Sequence, residues 1–223
     1  YESATMLALL MHTHPGTVYI YQGEEIGMTN VDFPSIEDYN EKYTVGKYYT
    51  MIESGKDPQE ALNSLKMMSR DNVRTPMQWN GGKQAGFTSG NPWIRVNPNY
   101  SSINVEAEEK AERSVLRFYR KLTAMRKTHP IMAYGTYRQI LEEDSDLIIY
   151  LKEWEGECWM VICNFYGSTC SMPQEAEDLL TGGKGRLDSD RNAPEKAELL
   201  LCNYTGGERK NIRPYEARLY RLT

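Results

Sequence analysis

The 223 residues carry 26 Lys+Arg against 31 Asp+Glu, a formal charge of −5, and 40% of them are hydrophobic, which is enough for a buried core and excludes a disordered chain. The mild acidity, with no long Lys/Arg block, excludes the electrostatic footprint of a nucleic acid or an anionic membrane surface as partner. The longest apolar run near the start, Met6 to Met11, is too short for a membrane span, and no basic segment precedes it as a signal peptide requires.

Met6, Leu7, Leu10 and Met11 recur at helical spacing, so residues 2–14 predict an amphipathic helix stopped by Pro15-Gly16. Thr17-Val18-Tyr19-Ile20-Tyr21 is apolar on both faces and reads as a buried strand of a parallel sheet. Gln22 to Met28 is then the loop leaving that strand. One strand has no sheet, and the chain opens at Tyr1 inside a helical pattern, so it reads as part of something longer. Residues 29–110 show short helices around 35–54 and 57–69, the second opened by Asp57-Pro58, with Gly- and Asn-Pro-rich ordered loop beyond. A connection this long inside a domain tends to be functional. A strong helix is predicted over Glu112–Thr128, with Val115, Leu116, Phe118, Tyr119, Leu122 and Met125 on its apolar face. After Pro130 come strand-like runs at Tyr134–Ile140, Asp146–Glu153, Cys158–Phe165, Glu198–Cys202 and Ala217–Leu222, an antiparallel β domain with its boundary near residue 131.

Four cysteines without a C-x-x-C pair or a His placed to complete a zinc site predict reduced thiols, a cytoplasmic setting, and no metal or cofactor. Glu24 and Glu25 are adjacent on an extended segment and face opposite ways, so they cannot form the facing carboxyl pair of a glycosidase; hydrogen bonds to loop amides are the expected role. His12, His14 and His129 suggest no chemistry. Arg186–Arg191 reads as a solvated, charge-rich turn, and Trp154 and Trp159, of opposite parity, as core packing rather than a glycan platform.

Arg70-Asp71-Asn72-Val73-Arg74-Thr75-Pro76-Met77-Gln78-Trp79 is the densest constellation. On a helical turn Arg70 and Arg74 share a face and repel, which demands an anion between them, expected from outside these residues or from a ligand. A guanidinium fork suits a carboxylate or vicinal hydroxyls, and Trp79 offers a sugar-stacking face; a surface Arg pair with Trp79 in the core fits equally well.

This decade, with Thr17–Asn30, Ala85-Gly86-Phe87-Thr88, Pro92-Trp93-Ile94, Asn97-Pro98-Asn99-Tyr100 and Ile103-Asn104-Val105-Glu106, closely resembles the α-amylase superfamily, in particular its oligo-1,6-glucosidase, dextran glucosidase and trehalose-6-phosphate hydrolase group. The resemblance is dense over residues 1 to about 135 and looser beyond. It implies a mixed α and β chain: residues 1–130 the closing part of a (β/α)8 barrel with the long loop after its eighth strand, and 131–223 a β-sandwich. It also implies a retaining α-glucosidase parent acting on short oligosaccharides, with the catalytic carboxylates upstream of Tyr1, so that this chain alone is inactive. Arg70 would reach the terminal-glucose subsite and Arg74 line the same mouth. Family members active on α-1,6 linkages tend to carry a Glu four residues after a Tyr in this loop; here Tyr39-Asn40-Glu41-Lys42-Tyr43 puts Tyr43 at that position. A trehalose-6-phosphate hydrolase and a non-catalytic amylase-like scaffold are the alternatives.

Overall fold

A computed structural model describes residues 1–143, 146–182, 197–206 and 209–223. In chain order the α-helices are α1 Glu2–Thr13, α2 Lys42–Glu53, α3 Pro58–Lys66, α4 Val105–Lys110, α5 Val115–Thr128, α6 Ile131–Tyr134 and α7 Gln174–Thr181. The strands are β1 Arg138–Ile140, β2 Leu147–Trp154, β3 Glu157–Asn164, β4 Cys170–Ser171, β5 Ala197–Cys202, β6 Asn211–Ile212 and β7 Ala217–Leu222. These elements fall into two compact units, Tyr1–Tyr19 with Arg117–Thr223, and Ile20–Leu116.

The first unit is organised by a five-stranded antiparallel sheet in the order β1-β2-β3-β7-β5. β2 and β3 form its central hairpin, closed by Glu155 and Gly156 at φ 47° and 91°, the positive-φ pair that a tight hairpin turn needs. Both strands are buried on both faces, which is why they read as nearly continuous apolar runs. Ile149, Leu151, Met160 and Ile162 meet α7 and the β4–β6 ladder through Leu179, Leu180, Met172 and Ile212. The alternate residues Tyr150, Lys152, Trp159 and Cys163 are equally buried, and α1 and α6 pack on β2, β3 and β7. The Arg126 guanidinium donates to the carbonyls of His12, His14, Gly16 and Met132, satisfying the open end of α1.

The second unit is mostly loop around a small apolar cluster of Val31, Phe33, Ile36, Tyr39, Leu62 and Ile94. Side-chain amides replace a backbone ladder here. Asn72 takes the Val31 N–H at 3.1 Å and donates to Lys66 O at 2.9 Å, and Asn97 donates to Thr29 O at 2.9 Å. Asp57 caps α3 by accepting from Gln59 N and Glu60 N, with Pro58 at the first helical position as expected.

Four expectations change. Thr17–Tyr21 forms no strand among the described residues, and Tyr19 is 84% exposed: a parallel strand needs neighbours to pair with, and none of the described residues pairs with it. The run from Tyr134 splits into α6 and a strand that starts only at Arg138; the backbone of Ile131–Tyr134 closes a helical turn first. Helix α7 lies where no element was expected, and α5 begins at Val115 rather than Glu112. The turn at Arg186–Arg191 lies outside the described residues.

Candidate functional site

Ser69 opens the Arg-Asp-Asn segment by accepting the Asp71 N–H at 3.2 Å, and Arg70–Val73 follows as a 3-10 turn ended at Arg74. Asp71 and Asn72 point inward and are buried, while the Arg70 and Arg74 side chains stay 76% and 40% exposed. Asn72 is the structural anchor already described.

Within the chain each arginine already has a carboxylate beside it. Glu41 brings Oε1 to 3.5 Å from Arg70 Nε, and Asp71 Oδ1 lies 3.8 Å from Arg74 Nη1. Both carboxylates are buried and also take amide hydrogens. Glu41 Oε2 accepts from Thr44 Oγ1 at 2.6 Å and from Arg70 N at 2.9 Å, while Asp71 Oδ2 accepts from Asn40 N at 2.6 Å and Glu41 N at 2.8 Å. Burial alone pushes the Glu41 carboxyl up, but the Thr44 hydroxyl, the Arg70 amide and the two guanidiniums outweigh it and hold the group below its ordinary value, hence ionised at neutral pH.

Tyr43 stands in the first turn of α2, two residues after Glu41, and is 72% exposed. Asn40 Nδ2 donates to Trp93 O at 3.1 Å, tying this turn to an exposed Trp93. Trp79, offered either to a sugar or to the core, is half exposed. A cavity of about 130 Å³ lies between the Tyr21–Asn30 loop and Asn72, Val73 and Thr75. Glu24 and Glu25 bind loop amides as expected, Glu24 accepting from Tyr21 N at 3.2 Å and Glu25 from Gly23 N at 2.7 Å. Trp159 is fully buried, in keeping with core packing. Among the described residues no group of His, Cys, Asp or Glu is arranged to hold a metal ion, and no helix is long and apolar enough to cross a membrane.

Glu41 is the residue that sequence reasoning passed over. Its signal was local: an acidic residue just before a helix start, with a hydroxyl three positions on at Thr44, in a chain already known to need an anion beside Arg70.

The α-amylase catalytic-domain model matches residues 1–135. Over 99% of its length the chain is 45% identical to the oligo-1,6-glucosidase of Parageobacillus thermoglucosidasius, and it covers 38% of that protein. It is 46% identical over 96% of its length to the trehalose-6-phosphate hydrolase of Escherichia coli, covering 37% of it. The crystal structure of Bacillus licheniformis trehalose-6-phosphate hydrolase superposes on the whole chain with a TM-score of 0.87 at 38% identity, the chain covering 39% of that structure. The chain thus spans less than two-fifths of the length of these relatives. An inward-facing Asp-Asn pair beside outward-facing arginines, on a chain matched from end to end by these enzymes, makes it a member of the α-amylase family.

Proposed function

We propose that this chain is part of a retaining α-glucosidase that removes glucose from short α-glucosides such as isomalto-oligosaccharides. In this reading residues 1–130 close a (β/α)8 barrel and residues 131–223 form its C-terminal β-sandwich. The catalytic carboxylates lie outside the 223 residues, and the chain contributes Arg70, Arg74 and Tyr43 to the substrate pocket. The chemistry is a double displacement: a carboxylate nucleophile attacks the anomeric carbon while a second carboxyl protonates the leaving oxygen, and water, deprotonated by that second group, then displaces the enzyme carboxylate and releases glucose.

The observation that carries this reading is the placement of Arg70. Its backbone N–H is hydrogen-bonded to Glu41 and its Nε lies 3.5 Å from the same carboxylate as an ion pair, while the side chain is 76% exposed, so its outer nitrogens are open to a ligand. A guanidinium fork suits vicinal hydroxyls or a catalytic carboxylate in need of orientation. The names of the relatives supply the substrate class. The four cysteines are thiols rather than disulfides, which fits a cytoplasmic protein.

Kinetics of the intact protein with Arg70→Ala test the role: catalytic efficiency is expected to fall by about 100-fold or more, and an unchanged value overturns it. The identity and TM-score to trehalose-6-phosphate hydrolases support a phosphorylated disaccharide as the second reading. Assaying isomaltose beside trehalose 6-phosphate separates the two, and a protein inert toward both leaves the scaffold reading standing.

A further inference from the structure

We propose that Glu41 is a positioning residue for substrate binding: with Asp71 it forms a reciprocal clasp that holds the Arg70 guanidinium in its outward-facing placement. The proposal rests on the reading of Arg70 as substrate-facing and extends it to a residue that has no contact with substrate in that reading.

Three features of the geometry point the same way. The clasp is mutual, because Asp71 takes the amide hydrogens of Asn40 and Glu41 while Glu41 takes that of Arg70, so each segment is held by the other's carboxylate. Charge-assisted bonds of this kind are roughly twice as strong as neutral ones. Second, Glu41 occupies the N-cap position of α2, yet its carboxylate ignores the helix's own amides. It turns instead to Thr44 Oγ1 and the Arg70 segment, so helix capping does not explain it. Third, the division of labour between its oxygens is uneven. Oε2 is filled by the Thr44 hydroxyl and the Arg70 amide, whereas Oε1 faces Arg70 Nε at 3.5 Å.

Nε is the inner nitrogen of the guanidinium. An ion pair on that side leaves both Nη groups, with four of the five N–H donors, to a ligand. An arginine held in this way surrenders less rotamer freedom when substrate arrives, which is the advantage of preorganisation. In Glu41→Gln the group facing Arg70 becomes neutral or turns an N–H₂ toward a cation, at nearly constant volume.

The test is a double-mutant cycle in the intact protein with p-nitrophenyl α-glucoside as substrate, comparing wild type, Glu41→Gln, Arg70→Ala and the double variant. Glu41→Gln is expected to lower kcat/KM about tenfold, chiefly through KM, with a melting temperature within a few degrees of wild type. In the Arg70→Ala background it is expected to change nothing further. An equal loss in both backgrounds overturns the proposal, because Glu41 then acts on the fold and not through Arg70. Loss of the KM effect in the single variant overturns it as well. Amide exchange over residues 69–74 is the second arm: faster exchange of the Arg70 amide in Glu41→Gln supports the clasp, and unchanged exchange overturns it. If Arg70→Ala leaves the rate untouched, the substrate role of Arg70 and the positioning role of Glu41 fall together. If the intact protein hydrolyses no glucoside, the proposed function fails while the exchange arm still decides whether Glu41 holds Arg70.

Discussion

The two compact units solve the same problem with different means. In the sheet unit, backbone pairs with backbone: β2 and β3 align from Leu147↔Asn164 to Trp154↔Glu157, and apolar side chains fill both faces. In the Ile20–Leu116 unit, several backbone groups that no helix or ladder pairs are satisfied one at a time by side chains, through Asn72, Asn97, Asp71 and Glu41. The first arrangement tolerates any apolar residue of the right size, while the second depends on particular amides and carboxylates at particular positions. A loop built in the second way stays ordered without a large core and still leaves arginines and aromatics at the surface, which suits a binding wall.

The largest effect is expected where the sheet is densest. Ile149→Ala removes a fully buried side chain and should cost about 2–5 kcal/mol, read as a lower denaturation midpoint. A smaller loss than about 1 kcal/mol would show that the sheet core is not the main stabiliser of its unit.

Next come two buried charges of the sheet unit with opposite pH signatures. Burial opposes ionisation of Glu216, but hydrogen bonds from Arg213 and Arg218 outweigh it and hold its carboxyl at about 2. Its folded value lies below its unfolded one, so its contribution, about 3 kcal/mol, is present above roughly pH 4.5 and is lost as pH falls toward 2. Lys152, buried with its Nζ 3.2 Å from Gly135 O, is lowered to about 8 by burial and by the nearby Arg126. Here the unfolded state binds the proton more tightly, so stability rises as pH goes from about 8 to about 10.4. Urea midpoints from about pH 2 to about pH 11 check both limbs, with Glu216→Gln flattening the acid one and Lys152→Met the alkaline one.

In the loop unit Asn72→Ala strips the Val31 amide of its acceptor and should cost about 1–3 kcal/mol, with faster amide exchange around Val31. Unchanged exchange there would mean that side-chain stitching is not what orders the loop. The smallest effect is expected from Asp57→Ala, which removes the cap of α3 and costs about 1 kcal/mol in thermal unfolding.

Elements whose period or caps are written locally were legible in the chain itself. Apolar recurrence marked α1 and α5, Asp57-Pro58 marked the start of α3, and the β-branched and apolar runs marked β2, β3 and β7. The Arg-Asp-Asn decade also stood out, and the charge repulsion between Arg70 and Arg74 correctly demanded an anion. What escaped was everything that depends on who stands alongside. Thr17–Tyr21 has the composition of a strand but forms none among the described residues, because pairing needs a second strand that composition cannot supply. The anion beside Arg70 is Glu41, 29 residues away in sequence, brought there by the fold of residues 20–116. Local propensity, charge and periodicity act over a few residues, so the sequence by itself determined most of the helices and long strands, the family, and which arginines stand out. Contacts across tens of residues belong to the tertiary structure, and it alone decided which carboxylate holds each guanidinium and which way the fork points.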